Sequence, residues 1–258
     1  MNFSEMLRMS ETEKKFGLLG KDIAYSFSKK YFTDKFESLN LSHYTYRNYD
    51  METIELFKET VMRDIDILGG LNVTIPYKES VIPFLDEIDG QASRIGAVNT
   101  IKILDNKKLK GFNTDVFGFE KSLKSCWRGD EKKALILGTG GASKAVAYVL
   151  GELGVDYLFV SRSSGQANVV TYAALNKQII QEHEMIINCS PLGTFPDIDA
   201  KPDLPYEFLG DQHLLYDLIY NPVKTAFLQM GEKSGAAIMN GRSMLEFQAE
   251  KSWEIWNS

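Results

Sequence analysis

Short apolar runs and mixed segments alternate along the first hundred residues of the chain. Three apolar or alternating runs predict strands, at Phe16–Gly20, His43–Tyr49 and Ile67–Ile75. The segments between them predict helices, at Lys29–Leu39 and Met51–Met62. Because Pro76 cannot continue a sheet, we expect the third strand to end there and a helix to begin.

The pattern after Pro76 changes from alternating strands and helices to a hairpin. Helical segments are expected at Glu79–Leu85 and Gln91–Ile95. Gly96–Ile103 and Lys108–Phe112 then predict two strands joined by a turn at Asp105-Asn106. The order βαβαβα followed by a hairpin predicts an α/β domain of roughly 100 residues.

The second half begins with a buried strand that runs into a glycine turn. Ala134–Leu137 is followed by Gly138–Ser143, by an apolar helix to about Leu153 and by a strand at Asp156–Val160. Strand, glycine turn, helix and strand in this order are typical of a Rossmann dinucleotide site. Further strands and a closing helix are expected at Met185–Cys189, Leu214–Leu218, Ala236–Met239 and Ser243–Trp256.

Composition restricts the class of protein. Apolar residues make up 44 % and charged residues 25 % of the 258 residues, as in a soluble globular protein. A net charge of −6 without a basic run gives no nucleic-acid surface, and no apolar run is long enough to cross a membrane. Cys126 and Cys189 are expected to be free thiols in a reducing cytoplasm. The histidines show no metal-ligand spacing, and residues 1–15 are expected to be a loosely ordered extension.

The glycine turn has the residues that a pyrophosphate needs at a helix N-terminus. Gly138 permits the tight turn, Gly140 lets backbone N–H groups approach the pyrophosphate, and Ser143 is small enough for close packing of helix and strand. The cofactor-binding residues predicted here are Gly138, Thr139, Gly140, Gly141, Ala142 and Ser143.

The residues after the next strand select the form of the cofactor. An NAD site usually carries Asp or Glu here, whereas NADP needs a cation for its 2′-phosphate. The chain has Ser161-Arg162-Ser163, and a guanidinium flanked by hydroxyls suits a phosphate. NADP is therefore favoured over NAD, with an ordinary surface arginine as the alternative.

Polar residues follow the third strand of the first half, where open α/β sheets bind ligands. They are Asn72, Thr74 and Lys78, and Lys78 is either a proton donor or a surface lysine. Ser26 and Ser28 precede a helix, so they can cap it or bind an anion. Asn99 is a polar residue inside an apolar strand, and Asp115 can cap the helix Val116–Ser125 or join a pocket.

These segments together resemble shikimate dehydrogenase over nearly the whole length after the extension. The matching motifs, in chain order, are Ala24-Tyr25-Ser26-Phe27-Ser28, Asn72-Val73-Thr74-Ile75-Pro76-Tyr77-Lys78, Gly96-Ala97-Val98-Asn99-Thr100, Gly111-Phe112-Asn113-Thr114-Asp115, Gly138-Thr139-Gly140-Gly141-Ala142, Asn188-Cys189-Ser190-Pro191-Leu192-Gly193, Tyr216-Asp217-Leu218-Ile219-Tyr220-Asn221-Pro222, and Asn240-Gly241 with Met244-Leu245 and Gln248.

The resemblance implies a two-domain enzyme that interconverts 3-dehydroshikimate and shikimate with NADP, on the route to aromatic amino acids. Residues 16–115 would form an α/β substrate domain joined by the C-terminal helix 242–258, and residues 116–241 a Rossmann-like parallel-sheet NADP-binding domain. The partner would be a small molecule, with neither nucleic acid nor membrane involved, and the protein a cytoplasmic monomer or homodimer. The alternatives are a quinate/shikimate dehydrogenase and a non-catalytic regulator on the same fold.

Residue roles are also implied by the resemblance. Lys78 and Asp115 match the catalytic pair, and Ser26 and Ser28 match the hydroxyls that hold the substrate carboxylate. Further substrate-binding residues would be Asn72, Thr74, Asn99, Tyr220 and Gln248. Further cofactor-binding residues would be Leu218 and Gly241, the latter where the chain passes the nicotinamide.

Three departures from the family pattern bear on these roles. Lys29 stands where the family often has Pro, which affects the rigidity of the serine loop. No second basic residue follows Arg162 through Gln166, so fewer charges would hold the 2′-phosphate. The stretch between Ser163 and Glu184 is short, so the cofactor domain is expected to lack an element.

Overall fold

A computed structural model describes residues 13–24, 26–129, 131–163 and 168–258. Most of the expected extension, Tyr25 and the run 164–167 after Ser163 therefore lie outside the described residues. The described chain divides into two compact units, one ending at Thr114 and including Ser252–Ser258, the other spanning Asp115–Lys251. Within the described ranges, no helix is long and apolar enough to cross a membrane.

The first unit contains a mixed six-stranded sheet. Its strands are β1 Lys14–Gly20, β2 Tyr44–Asp50, β3 Leu68–Val73, β4 Glu87–Ile88, β5 Thr100–Ile103 and β6 Leu109–Phe112, in the spatial order β2-β1-β3-β5-β6-β4. The helices are α1 Phe27–Ser38, α2 Phe57–Asp64 and α3 Gly90–Ile95. β1, β2 and β3 are parallel, and β5 runs antiparallel to β3 and β6, as the expected hairpin requires.

Two expectations for this unit are wrong. No helix follows Pro76: the chain turns and forms only one 3-10 turn at Ile82–Phe84. Pro83 lacks the N–H group that an α-helix begun at Pro76 would use at that position, and the chain forms only the short turn that starts at Ile82. The first strand begins at Lys14, inside the expected extension, because the Lys15 N–H bonds to the Ile67 carbonyl at 2.7 Å.

The second unit contains a six-stranded sheet that is parallel throughout. Its strands are β7 Lys133–Leu137, β8 Asp156–Ser161, β9 Val169–Thr171, β10 Met185–Asn188, β11 Leu214–Asp217 and β12 Ala237–Met239, in the spatial order β12-β11-β10-β7-β8-β9. The helices are α4 Asp115–Leu123, α5 Gly141–Glu152, α6 Lys177–Glu182, α7 Ala226–Lys233 and α8 Arg242–Asn257. The α/β fold class with a Rossmann-like parallel sheet is therefore confirmed.

The order of the second sheet places a switch point between β7 and β10. From β7 the chain continues outward to β8 and β9, and then crosses to β10 on the other side. Open α/β sheets bind ligands at such a point, outside the carboxyl ends of the strands. The stretch between Ser163 and Glu184, which was expected to lack an element, contains β9 and the helix Lys177–Glu182 among its described residues.

Each sheet is covered by its own apolar core. Buried residues of the first include Leu19, Leu71, Val73, Val98 and Ile101, and those of the second include Leu135, Leu137, Val160, Ile186 and Leu215. The division of the chain differs from the expected one at the C-terminal helix. Only its end, from Ser252, belongs to the first unit, whereas Arg242–Lys251 belongs to the second.

Candidate active site

Three strand ends meet at one edge of the first sheet. Because β5 is antiparallel to β3 and β6, its beginning lies beside their carboxyl ends. Thr100 pairs with Asn72 on one side and with Phe112 on the other. This register brings the segments around Thr74 and Asn99 to the same edge of the sheet.

Lys78 is held at this edge by its backbone. The Val98 N–H donates to the Lys78 carbonyl at 2.7 Å, which fixes the turn after β3 beside the start of β5. The Tyr77 hydroxyl donates to the Met51 carbonyl at 2.7 Å and so anchors the turn to the core. Lys78 is half-buried, and it stands next to the segment that carries Asn99.

The Asn99 side chain is fixed by hydroxyl and backbone groups around it. Its Oδ1 accepts from the Thr114 N–H at 2.7 Å and from the Thr100 hydroxyl at 3.1 Å. Its Nδ2 donates to the Thr114 hydroxyl at 3.0 Å. Asn99 is only 2 % exposed, so its amide has one orientation, and the chain just before Asp115 is tied to it.

Asn72 belongs to a buried network that includes the C-terminal helix. The Tyr46 hydroxyl donates to its Oδ1 at 2.8 Å, and its Nδ2 donates to the Ser252 hydroxyl at 2.9 Å. The Ser252 hydroxyl also lies 2.8 Å from that of Thr100 and 3.1 Å from that of Thr114. With its amide engaged by protein groups, Asn72 is better suited to positioning Asn99 than to the direct substrate contact predicted for it.

The structure gives Ser26 the capping function that the sequence left open, whereas Ser28 interacts with a buried tyrosine. Ser26 is the N-cap of α1 and accepts from the Ser28 N–H at 3.1 Å. Ser28 is buried and forms a hydrogen bond with Tyr46. Burial raises the pKa of Tyr46 well above its ordinary value, and this effect outweighs the hydrogen bond with Ser28, which lowers the pKa. Tyr46 therefore stays neutral and connects Ser28 to Asn72.

Asp115 and Gln248 lie on two helices of the second unit that approach each other closely. Asp115 is the buried first residue of α4, and Gly118 lies three residues later on the same face. A methyl group added at Gly118 would lie 3.0 Å from the Gln248 Cβ, so the two helices approach closely here. The Gln248 Nε2 donates to the Leu245 carbonyl at 2.9 Å.

The glycine turn has the geometry that a dinucleotide pyrophosphate needs. Gly138 has φ +110°, which favours glycine, and its N–H donates to the Val160 carbonyl at 2.9 Å. Gly140 caps the twelve-residue helix α5 without a side-chain hydrogen bond, and a methyl group added there would meet nothing within 4 Å. The start of α5 therefore has no side-chain cap and open space beside Gly140, and a helix N-terminus favours an anion. Ser143, fully buried, donates to the Gly140 carbonyl at 2.6 Å.

The residues predicted to select the cofactor lie at the end of β8. Ser161 is the last residue of the strand and is half-buried, while Arg162 and Ser163 are exposed. Tyr172 lies near them: its pKa is raised chiefly by burial, and Arg162 acts to lower it. Tyr172 was not predicted as part of this site.

Leu218 and Tyr220 follow β11, and Gly241 follows the neighbouring strand β12. The Gly241 N–H donates to the Ile219 carbonyl at 3.0 Å, and a methyl group added at Gly241 would overlap the Leu218 carbonyl. Leu218 and Tyr220 are half-buried. The two residues predicted near the nicotinamide, Leu218 and Gly241, are therefore in direct contact.

Comparisons with known proteins identify the family of this chain. A family model described as the shikimate dehydrogenase substrate binding domain matches residues 18–101. The chain is 34 % identical to a shikimate dehydrogenase (NADP(+)) of Desulforamulus reducens, with 93 % of this chain and 88 % of the relative covered. The chain belongs to the shikimate dehydrogenase family.

Solved structures of shikimate dehydrogenases have the same fold. One from Peptoclostridium difficile is 36 % identical, with a TM-score of 0.83 and coverage of 95 % of this chain and 91 % of that one. Another, from Thermus thermophilus in complex with NADP(H) and shikimate, is 30 % identical, with a TM-score of 0.83 and coverage of 94 % and 93 %. In this family fold, the first unit is the substrate domain and the second is Rossmann-like.

Several site residues of this shikimate dehydrogenase family member were missed from sequence. Tyr46, Thr100, Thr114 and Ser252 surround Asn72 and Asn99, yet none was predicted to act there. The sequence feature that could have revealed them is the presence of hydroxyl residues inside apolar strands and on the Trp-rich face of the last helix. That signal does not reveal which hydroxyls meet, because Ser252 and Thr100 lie far apart in the chain.

The cysteines and histidines have structural environments. Both cysteines are free thiols, and burial raises the pKa of Cys126 to about 11. His183 and His213 are buried and bond to the carbonyls of Ile179 and Ile180, at 2.7 and 2.9 Å. No group of metal-ligating side chains occurs among the residues that the structure describes.

Proposed function

We propose that this protein catalyses the reversible NADP-linked reduction of 3-dehydroshikimate to shikimate. The observation that carries the proposal is the common edge that holds Thr74, Lys78 and Asn99, in a chain that belongs to the shikimate dehydrogenase family. The glycine turn at Gly138 and the start of α5 suit the pyrophosphate of the cofactor.

Lys78 is proposed to move the proton. When bound, the nicotinamide of NADPH supplies the hydride, and the protein must then protonate the oxygen of the substrate carbonyl. An ammonium group can donate that proton and recover it in the reverse direction. The hydrogen bond from Val98 to the Lys78 carbonyl supports this role because it keeps the side chain at the polar edge.

The remaining side chains are proposed to bind and orient the substrate. Ser26 and Ser28 would hold its carboxylate at the start of α1, where helix N–H groups also favour an anion. Thr74, Asn99, Asp115, Tyr220 and Gln248 would bind its hydroxyl groups, with Asp115 also orienting Lys78. Asn72, which donates to the Thr100 and Ser252 hydroxyls, would act through Thr100 on Asn99.

The cofactor contacts are proposed from the second unit. The N–H groups from Gly138 to Ser143 would hold the pyrophosphate, and Ser161, Arg162 and Ser163 the 2′-phosphate. Leu218 and Gly241 would border the nicotinamide.

Partners and location are inferred from bulk properties. A net charge of −6 without a basic run supports a small-molecule substrate rather than nucleic acid. Free thiols support a reducing cytoplasm. The protein is proposed to act there as a monomer or homodimer.

One assay of the purified protein tests the proposal. Reduction of NADP and of NAD is measured with shikimate and with quinate, in all four combinations. We expect the highest kcat/KM for NADP with shikimate. Reduction with quinate alone would replace the proposed substrate, and no reduction in any combination would favour a non-catalytic regulator.

A further inference from the structure

Asp217 is a buried carboxylate at the edge of the second sheet, and the proposed reaction gives it no role. It is the last residue of β11, and it has no exposed surface. Its Oδ1 accepts from the Asn188 Nδ2 and from the Ile219 N–H, each at 3.0 Å. Its Oδ2 accepts from the Thr225 hydroxyl at 2.6 Å. Burying a carboxylate is costly without such donors, so this arrangement indicates a specific task.

The first donor connects Asp217 to the loop after β10. Asn188, the last residue of β10, accepts on its Oδ1 from the Ser190 N–H at 3.0 Å and from the Ser190 hydroxyl at 2.6 Å. The glycine turn packs against this loop, since a methyl group added at Gly138 would lie 3.5 Å from the backbone of Cys189 and Ser190. Asp217 therefore orients the loop that borders the switch point.

The second donor connects Asp217 to the proposed nicotinamide site. Leu218 stands between Asp217 and Ile219, so the bond from the Ile219 N–H folds the Leu218 backbone into a fixed turn. Gly241 contacts the Leu218 carbonyl and donates to the Ile219 carbonyl at 3.0 Å. The positions of Leu218 and Gly241 thus depend on the same carboxylate.

The third donor connects Asp217 to helix α7. Thr225 is the N-cap of α7, and its hydroxyl accepts from the Leu228 N–H at 3.3 Å while it donates to Asp217. Burial raises the pKa of Asp217 to about 6, and the three hydrogen bonds act against this rise. The group is consequently ionised above neutral pH, where a carboxylate can accept all three bonds.

We propose that Asp217 is a positioning residue that aligns the nicotinamide half of the cofactor site, by holding the Ser190 loop, Leu218 and α7 in one arrangement. The inference rests on the proposed NADP-linked function. Asp217 does not itself touch the cofactor in this proposal.

Binding of two ligands distinguishes a local effect on the nicotinamide half of the cofactor site from a general loss of structure in the variant. NADP carries both halves, whereas adenosine 2′,5′-bisphosphate carries the 2′-phosphate and adenosine but no nicotinamide. Binding of each is measured by titration calorimetry at pH 7.5, for the wild type and for Asp217→Ala. We expect NADP to bind about tenfold or more weakly to the variant, and the bisphosphate to bind within about twofold of the wild type.

A second pair of variants keeps the test valid if Asp217→Ala fails to fold. Thr225→Val removes one donor and leaves the carboxylate, whereas Thr225→Ser retains the hydroxyl. We expect selective loss of NADP affinity in the first and wild-type affinity in the second.

Tyr216→Phe is the matched control in the same strand. It removes a buried hydrogen bond of 2.7 Å from the Tyr216 hydroxyl to the Ser122 hydroxyl, and neither residue has a proposed role in the site. The affinities for NADP and for the bisphosphate should therefore stay unchanged. Equal loss for both ligands, or no loss for either, in Asp217→Ala and Thr225→Val would overturn the inference. Failure of the wild type to bind NADP would instead overturn the proposed function.

Discussion

Lys78 is the residue on which the proposed chemistry depends most directly. Lys78→Ala should lower kcat for shikimate oxidation by about a hundredfold or more, because the proton would have no positioned acceptor. Steady-state rates with saturating NADP measure the effect.

Lys108 provides a control in the same sheet. It lies just before β6, the second strand of the hairpin, and away from the edge that holds Asn99. Its side chain is exposed, and its Nζ lies 4.0 Å from the Glu87 Oε1. Lys108→Ala should leave kcat unchanged. Full activity of Lys78→Ala would exclude the proton-transfer role.

Arg162 is the cation expected to distinguish NADP from NAD. Arg162→Ala should raise KM for NADP about tenfold or more, since a charge-assisted hydrogen bond to phosphate contributes roughly 1.5–3 kcal/mol. KM for NAD, which has no 2′-phosphate, should stay the same. Arg63→Ala, which removes an exposed arginine of α2, is the charge-matched control. A parallel change in both KM values would contradict the assignment.

Asp217 also makes the stability of the protein depend on pH. Its pKa of about 6, raised by burial, lies above the ordinary value of 3.8, so the folded protein holds an extra proton between these values. Stability should therefore fall as the pH rises from about 4 to about 6, by on the order of 3 kcal/mol, and then level off. Asp217→Asn should lack this fall. Thermal midpoints of both proteins between pH 4.5 and 7.5 test it, and parallel profiles would contradict it.

At the scale of elements, the close approach of α4 and α8 requires a glycine. A methyl group at Gly118 would lie 2.6 Å from the Met244 carbonyl oxygen, so Gly118→Ala should destabilise the protein by about 1–3 kcal/mol through overpacking. Because Asp115 and Gln248 flank this contact, activity should fall as well.

Gly151→Ala is the matched control in α5. Nothing lies within 4 Å of a methyl group added at Gly151, and alanine favours a helix by up to about 1 kcal/mol over glycine. The two substitutions should therefore shift the thermal midpoint in opposite directions. A stabilising effect of Gly118→Ala would show that the helices can separate without cost.

Elements with strong local patterns were predicted well, and those without were not. The buried strand before Gly138 and the apolar helix after it were both expected, because each has a clear period and glycine punctuation. The helix expected after Pro76 is wrong, because Pro83 lacks the N–H group that a longer α-helix would use there, and only a 3-10 turn forms around it. The two-residue strand β4 was not expected, since it forms only by pairing with β6.

At the scale of the whole molecule, the end of the chain stabilises its beginning. The Trp256 indole N–H donates to the Ile101 carbonyl at 3.0 Å, and its ring lies 5.0 Å from that of Phe16. Trp256→Ala should destabilise the first unit by about 3–5 kcal/mol, as truncation of large buried side chains does.

Hydrogen exchange locates this effect. In Trp256→Ala, amides of β1, β3 and β5 should lose protection, whereas those of β7 and β10 should keep most of theirs. Asn257→Ala, an exposed substitution in the same helix turn, should change neither set. Equal loss in both sheets would contradict the assignment of the chain end to the first unit.

From the sequence alone, the α/β class, the two sheets and the glycine turn could be predicted, together with candidate residues for the site. These follow from periodicity, from glycine and proline positions and from motifs that are local in the chain. The tertiary structure was needed to find which hydroxyl groups orient Asn99, that protein groups enclose Asn72, and that Asp217 connects the Ser190 loop, Leu218 and α7. Hydrogen-bond partners such as Thr100 and Ser252 are far apart in the sequence. Spacing along the chain therefore does not reveal which side chains come into contact.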